Sequence, residues 1–407
     1  MIVPKSSKIP GPLWPCVEKI AQKRERVLPK EGGYFVHVTS RVRGQDYLLE
    51  AKEKEAFREL AFRWAEFSGI TVVTYCVMSN HFHLLLWVPE REAVDHEEVV
   101  RRLKLVWSKD KLKQWEQFYA LHKEEDQEKL DAQVTERMYD LPEFMRVLKH
   151  GYTLWYNRTH KCSGAFWDAR YRSVVVEGNP LALMSVAAYV DLNPIRAGMV
   201  EDPMDYRWSG YAAACGGGQA ERKGLEMLVR LSRGYLPHKA ERVRGGQLKE
   251  EQKKEGKAPG TGDWRAIGPQ LEAERKERAE PKGWGDVQSV YRIWLYSKGE
   301  TKADVDRMRK KLRERKGFDA LDVLAEFERM GEVPMAKMLR QRVKTFTRGA
   351  AIGGEAFLGR MMAEHRGCFA KERKSAGRKL PGKDWMGLEA LRVTNDECFA
   401  CGGQDTE

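Results

Sequence analysis

Two short runs, residues 70–77 (ITVVTYCV) and residues 81–88 (HFHLLLWV), decide how this chain folds. Both are rich in β-branched, aromatic and aliphatic side chains, and only a three-residue break, MSN, separates them. This pattern predicts two neighbouring strands joined in a hairpin. Because side chains alternate along a strand, His81 and His83 share one face of the second strand, whereas Phe82 points to the other.

The elements on either side of the hairpin alternate between strand and helix. Residues 34–41 (YFVHVTSR) predict an earlier strand, and residues 51–67 carry apolar side chains at helical spacing. Downstream, residues 97–115 and 142–158 predict helices, and residues 171–177 predict a further strand.

A last helix follows, because Asn179 can cap its first turn and Pro180 fits the first helical position. It runs towards Pro194. The predicted order is therefore β-α-β-β-α-β-α, which is typical of an α+β fold with a ferredoxin-like antiparallel sheet and helices on one face. A mainly helical C-terminal region follows, because apolar side chains recur at helical spacing after residue 286.

The chain has 407 residues, more than one typical domain of roughly 100–200 residues. Residues 239–285 are dominated by Lys, Glu, Gly and Pro, which predicts a partly disordered segment. We expect an N-terminal extension at 1–30, a sheet-containing domain at 31–211 with a charged insertion at about 117–141, a linker at 212–285, and a helical C-terminal domain of unknown role at 286–407.

The composition favours a nucleic acid or another polyanion as partner. Lys and Arg number 72 against 60 Asp and Glu, a formal net charge of +12, although an ordinary mixed-charge surface would give the same balance. The seven cysteines are scattered, which indicates a reducing cytoplasm rather than a disulfide framework. No stretch approaches the roughly 20 apolar residues that span a bilayer, so we expect no membrane partner.

Two groups of side chains could carry chemistry, and each has an alternative. His81 and His83 could bind a metal ion together, or they could be two hydrogen-bonded histidines at a sheet edge. Tyr189 and Asn193 lie four residues apart on one helix face, so a hydroxyl and an amide could reach one site. Alternatively, Tyr189 is a core residue and Asn193 ends the helix before Pro194.

Taken together and in this order, the motifs resemble the tyrosine transposases of the HUH class, especially the REP-associated branch encoded by bacteria. The similar blocks are residues 34–41, residues 77–83 (VMSNHFH), residues 144–157 (FMRVLKHGYTLWYN), residues 164–173 (GAFWDARYRS) and residues 189–198 (YVDLNPIRAG). The resemblance covers roughly residues 32–211. The charged insertion and the long C-terminal half depart from the family pattern and leave substrate and assembly open.

The resemblance implies a metal-dependent endonuclease and strand transferase that acts on single-stranded, hairpin-forming repeat DNA. It implies that His81 and His83 bind Mg²⁺ or Mn²⁺, that Asn193 completes the metal site, and that Tyr189 is the catalytic nucleophile, which forms a phosphotyrosine intermediate. It also implies a bacterial, nucleoid-associated protein. We expect a monomer, with a dimer as the other possibility. A non-cleaving nucleic-acid-binding protein of the same fold is the alternative function.

Basic and aromatic groups around this site are the candidate DNA contacts, since single strands are held by phosphate contacts and base stacking. A solvated charged face or a core aromatic is the alternative for each, and we expect Trp167 to be core. The candidates are Arg41, Arg43, Arg101, Arg102, Lys104, Lys109, Arg170, Tyr171 and Arg172.

Two C-terminal features have no assigned role. Residues 345–358 (TFTRGAAIGGEAFL) read as a short turn between helices. Cys398 and Cys401 form a single CxxC pair, and a structural zinc site needs four ligands, so metal binding there stays open.

Overall fold

A computed structural model describes residues 27–232, 283–296, 345–370, 373, 375–380, 385 and 387–392. Seven strands lie within these residues: β1 Tyr34–Arg41, β2 Thr71–Val77, β3 His81–Val88, β4 Arg172–Val176, β5 Ala351–Gly353, β6 Arg378–Lys379 and β7 Glu389–Leu391. They form one sheet in the order β2-β3-β1-β4-β5-β7-β6. All neighbouring strands pair antiparallel except β4 and β5, which are parallel.

The helices of the described residues lie between these strands and after β4. They are α1 Ala51–Ser68, α2 His96–Val106, α3 Lys109–Ala120, α4 Glu124–Thr135, α5 Leu141–His160, α6 Pro180–Asp191, α7 Asn193–Arg196, α8 Gly210–Cys215, α9 Gln219–Leu231, α10 Trp284–Tyr296, α11 Thr345–Arg348 and α12 Glu355–Glu364. Of these described helices, none is long and apolar enough to cross a membrane.

The first four strands and helices α1 and α5 form the ferredoxin-like core that the sequence predicts. Their spatial order is β2-β3-β1-β4 with every pair antiparallel, and α1 packs against α5. The α+β class is confirmed. The predicted cap is also present, because the side chain of Asn179 accepts a hydrogen bond from the Ala182 N–H at the start of α6.

Helices cover both faces of the sheet, whereas the sequence predicted them on one. Helices α1 and α5 pack on the face that carries Val36, Val38 and Phe82. Helices α6, α9 and α10 pack on the opposite face, over Phe35 and Leu85. The physical reason is that β1 and β3 are apolar on both faces, and each apolar face must be removed from water.

The charged insertion forms α4, whose buried Leu130 and Val134 anchor it. Helix α4 packs on α2 and α3. The single helix predicted at residues 97–115 is two helices, because Ser108 caps a new helix: its side chain accepts from the Lys111 N–H.

Parts of the expected linker and C-terminal domain belong to the sheet-containing unit. Helix α9 lies within the expected linker, yet its Leu225, Leu228 and Val229 are buried in the core. Strands β5 to β7 lie within the region expected to be helical, and β5 extends the sheet from β4. They contain only two or three residues each, too few to show period-two alternation.

Several predictions fall on residues that the structure does not describe. They are the N-terminal extension up to residue 26, the linker between 233 and 282, the helical pattern between 297 and 344, and the CxxC pair at Cys398 and Cys401. For these segments the division into regions stays a prediction.

Replacing Gly224 by alanine is expected to destabilise the fold by roughly 1–3 kcal/mol. A Cβ atom at this position of α9 would lie 2.5 Å from the carbonyl oxygens of both Val72 and Val73 on β2, so helix and strand would have to separate. Urea unfolding of the full chain measures the loss. Lys223→Ala, on the exposed side of the same helix, is the matched control and should change stability by less than about 0.5 kcal/mol. Equal stabilities of the Gly224→Ala variant and the wild type would show that α9 does not pack here.

Candidate active site

Three histidines lie on the sheet face that α6 covers. The antiparallel register of β1 and β3 places Arg41 opposite His81 and Thr39 opposite His83, with His37 two residues further along β1. His37 and His83 are buried, being 1% and 4% exposed, and His81 is partly exposed at the end of the strand. The rings of His81 and His83 lie 5.1 Å apart, so the strand presents two imidazoles together, as its alternation predicts.

Each histidine of the pair uses its Nδ1 atom inside the protein. Nδ1 of His81 lies 2.6 Å from Oδ1 of Asn80, and Nδ1 of His83 lies 2.9 Å from Nε2 of His37. Burial and the neighbouring charges of His37 and His81 hold the pKa of His83 well below its ordinary value. Neutral imidazoles are the form that binds metals, and Nε2 is the nitrogen that a metal would take in both.

The ring of Tyr189 contacts two of these three histidines, His83 and His37. Its ring centroid is 6.0 Å from that of His83 and 6.0 Å from that of His37, both in edge-on contact. The guanidinium of Arg196 stacks 4.0 Å from the ring centroid and also donates to the Tyr189 carbonyl. The ring of Phe346 packs 5.1 Å away, and Tyr189 is 3% exposed. The structure thus brings the predicted nucleophile and the predicted metal-binding histidines to one place.

Asn193 has a role in ending α6. Its side-chain Nδ2 donates to the carbonyls of Tyr189, at 3.2 Å, and Val190, at 3.0 Å. These are carbonyls of the last turn, which have no partner within a helix. This contact matches the helix-ending alternative, and a metal could take only the amide oxygen of Asn193. Its place in a metal site stays a prediction.

The donor set limits the kind of ion that would fit. Within the described residues, no group of three or more His, Cys, Asp or Glu side chains could hold a metal. His81 and His83 therefore offer two imidazole nitrogens, and the remaining positions would fall to oxygen atoms. Imidazole suits transition metals better than Mg²⁺, so this set fits Mn²⁺ at least as well as Mg²⁺.

Five of the predicted DNA contacts lie around the strand ends next to His81. Arg41 faces His81, and Arg172 on β4 faces Thr39 of β1. Arg43 and Arg170 are exposed nearby. Their two segments are joined by a hydrogen bond from the Arg43 N–H to the carbonyl of Phe166. Tyr171 packs against the core instead, and Trp167, 8% exposed, is the core residue that the sequence predicts.

The other four predicted contacts lie on α2 and α3, which belong to the helical layer on the far side of the sheet from α6. Arg101 pairs with Glu98 at 2.6 Å and with Glu66 at 2.8 Å, and Arg102 pairs with Glu98 at 2.7 Å. The prediction is wrong in placing these residues beside the histidines, because closeness to β3 in sequence does not give closeness in space. The remaining two are Lys104 and Lys109, both exposed.

The difference between these two groups gives a paired prediction. Arg41→Ala is expected to weaken single-stranded DNA binding several-fold and to lower the salt slope by about 0.7, because one phosphate contact is lost. Arg101→Ala should leave both quantities unchanged, since its guanidinium is held by two carboxylates. Fluorescence anisotropy over a salt series measures both variants, and an equal loss in both would contradict the placement.

Four residues of the site were not predicted: His37, Asn80, Arg196 and Phe346. His37 was visible only as a third histidine on a predicted strand of the same domain. Arg196 lies seven residues after Tyr189, which is two helical turns and so the same side. The His37 ring is hydrogen-bonded to the backbone carbonyl of Phe346, 309 residues later in the sequence. No local sequence signal connects two residues so far apart.

Two comparisons with known proteins gave matches. Residues 33–128 match the family model described as "Transposase IS200 like", which is less than half of the chain. The segment that carries β1 to β3 and the histidine pair is therefore similar to the IS200-like transposases. The match ends before α6, so it does not include Tyr189.

A solved structure is also similar, that of a REP-associated tyrosine transposase bound to a REP hairpin. The identity is 13%, the alignment covers 46% of this chain and 82% of that chain, and the TM-score is 0.28. No curated protein matches the sequence.

Proposed function

We propose that this protein is a metal-dependent, single-strand DNA endonuclease and strand transferase whose nucleophile is Tyr189. The observation that carries the proposal is the edge-on contact of the Tyr189 ring with His83, with 6.0 Å between ring centroids, in a chain whose residues 33–128 match the IS200-like transposase family model. A tyrosine held beside histidines that could bind a metal ion is an arrangement suited to metal-assisted attack on a phosphodiester.

In the proposed reaction the Tyr189 hydroxyl gives up its proton and attacks phosphorus. A bond forms between the tyrosine oxygen and phosphorus, and the bond between phosphorus and the 3′ oxygen breaks. The products are a 5′-phosphotyrosine and a free 3′-hydroxyl. Because the covalent bond keeps the ester energy, another 3′-hydroxyl can reverse the step and join a new strand without ATP.

The metal ion, held by His81 and His83, would neutralise charge on the phosphate oxygens. The chain's own residues complete the site. The Arg196 guanidinium lies over the Tyr189 ring and donates to the Tyr189 carbonyl, so it would hold the ring in position. Burial of Tyr189 beneath Phe346 and Arg196 keeps water away from the ester.

We propose a hairpin-forming single strand as the substrate, bound along the edge that Arg41, Arg43 and Arg172 line. Guanidinium groups at the ends of β1 and β4 would hold phosphates and fix the strand relative to His81. The sequence motifs resemble those of REP-associated tyrosine transposases, and that resemblance implies this substrate class. We expect a monomer, because Tyr189 contacts His83 of its own chain. The sequence resemblance implies a bacterial, nucleoid-associated protein.

The experiment uses hairpin oligonucleotides labelled at either the 5′ or the 3′ end, with the full chain and Mn²⁺ or Mg²⁺. We expect a covalent adduct that carries the 3′ label and a released 5′ fragment with a 3′-hydroxyl, both abolished by EDTA. His81→Ala should prevent the adduct, whereas His150→Ala, an exposed histidine on α5, should not.

Two results would contradict the proposal. An adduct that carries the 5′ label would mean a 3′-phosphotyrosine and a different reaction. Tight hairpin binding with no adduct under any metal condition would favour the alternative, a non-cleaving nucleic-acid-binding protein.

A further inference from the structure

A chain of hydrogen bonds connects the C-terminal part of the protein to the histidine pair. The Phe346 carbonyl lies 2.7 Å from Nδ1 of His37, and Nε2 of His37 lies 2.9 Å from Nδ1 of His83. Phe346 belongs to α11, a helix of four residues, too short to use all of its own carbonyls. The carbonyl is therefore available as an acceptor for a side chain of the sheet.

The direction of each bond follows from chemistry. A carbonyl oxygen can only accept, so His37 must carry a proton on Nδ1 and donate it to Phe346. His37 is 1% exposed, and because burial disfavours a charged ring, its single proton is the one on Nδ1. Nε2 of His37 then accepts, and Nδ1 of His83 donates to it. The one remaining ring nitrogen of a neutral His83, Nε2, carries no proton.

His81 is held in the same tautomer by a separate chain. The Asn80 side chain donates from Nδ2 to the Gln45 carbonyl at 3.0 Å, which turns its Oδ1 towards His81. Nδ1 of His81 donates to that oxygen. Both histidines thus use Nδ1 as a donor, and both chains end on a backbone carbonyl. The hydrogen bonds that start at His81 end at the Gln45 carbonyl, 36 residues earlier in the sequence and inside the IS200-like segment. Those that start at His83 end at the Phe346 carbonyl on α11.

We propose that His37 is a positioning residue that holds His83, through the Phe346 carbonyl, in the one tautomer whose Nε2 can bind a metal ion. The inference rests on the proposed function in taking His83 as a metal ligand. Residues 345–353 thereby determine which ring nitrogen of His83 carries the proton, although His83 lies more than 200 residues earlier in the sequence. Hydrogen bonds of this kind fix the orientation of a metal-binding histidine, and their loss typically lowers metal affinity by about 10- to 100-fold.

Two variants separate this role from simple packing. His37→Phe fills the space with a ring but offers His83 no acceptor. His37→Gln keeps one acceptor and one donor, as the neutral imidazole does. We expect Mn²⁺ affinity of the full chain, measured by calorimetry without DNA, to fall about 10- to 100-fold in His37→Phe and to recover in His37→Gln. His150→Gln is the control and should not change it.

A second measurement is made on the wild type without metal, and variants serve only to assign its signals. Nitrogen-15 NMR of the histidine-labelled, metal-free full chain distinguishes protonated from unprotonated ring nitrogens at pH 7. We expect both His37 and His83 to carry their proton on Nδ1, with signals assigned from the His37→Gln and His83→Gln variants.

The outcomes are distinguishable. If His83 carries its proton on Nε2, the inference is overturned, whatever the variants do. If His37→Phe binds Mn²⁺ as tightly as the wild type, the inference is overturned although the proposed metal site stands. If the wild type binds no Mn²⁺ while the tautomers are as expected, the proposed function fails. The inference is then overturned as well, because the hydrogen bonds have no metal-binding histidine to position.

Discussion

Replacing Tyr189 by phenylalanine is expected to reduce covalent adduct formation by about 1000-fold or more, because the attacking oxygen is removed. The ring packs against His37, His83 and Phe346 and stacks under Arg196. Phenylalanine keeps each of these ring contacts, so we expect unchanged folding and hairpin binding. Denaturing gels with a 3′-labelled hairpin measure the adduct, and anisotropy measures binding.

Tyr47→Phe provides the matched control. Tyr47 is 76% exposed in the segment after β1, and removal of its hydroxyl should leave adduct formation within about two-fold of the wild type. Should Tyr189→Phe form the adduct as fast as the wild type, the nucleophile is another residue. Loss of hairpin binding in Tyr189→Phe would instead assign the hydroxyl to substrate contact.

The second large effect concerns stability. Arg292 on α10 donates to Asp202 at 2.9 Å, and the two side chains are 0% and 2% exposed. Asp202→Ala removes the carboxylate that balances the buried Arg292 cation, and the Tyr211 hydroxyl, 2.8 Å away, is a neutral group that cannot replace its charge. Removal of one member of a buried ion pair costs about 3–5 kcal/mol, so we expect a loss of that size in urea unfolding.

Two further variants sharpen this result. Asp202→Leu combined with Arg292→Met removes both charges, and much of the stability should return, because buried pairs contribute little over apolar side chains of similar volume. Glu226→Ala breaks an exposed pair with Arg230 on α9 and should cost less than about 1 kcal/mol. A loss below 1 kcal/mol in Asp202→Ala would mean that α10 is not packed on the sheet-containing unit as described.

Local patterns explain what the sequence could predict. Each strand and helix of the ferredoxin-like core has its own periodicity, and His81 and His83 lie two residues apart on a strand. Tyr189 and the histidines come together because the helix that follows β4 must cover the apolar face that carries them. The class of fold therefore follows from short-range signals, whereas the choice of His81, His83 and Tyr189 as candidate site residues needed the family resemblance of several separated blocks.

Contacts between distant segments explain what the sequence could not. Strands β5 and β7 are recognisable only from their pairing with β4 and with each other, since three residues show no periodicity. Arg101 and Arg102 are predicted DNA contacts because they are basic, and the pairing of Arg101 with Glu66, 35 residues earlier, is visible only in the structure. His37 gains its meaning from a carbonyl on α11, far along the chain.

The most direct test of the central claim is to identify the residue that becomes bonded to DNA. The adduct formed with a hairpin and Mn²⁺ is digested with nuclease and trypsin, and the modified peptide is sequenced by mass spectrometry. We predict a nucleotide attached through its 5′-phosphate to Tyr189. Attachment to any other residue, or a linkage through a 3′-phosphate, would contradict the proposed mechanism.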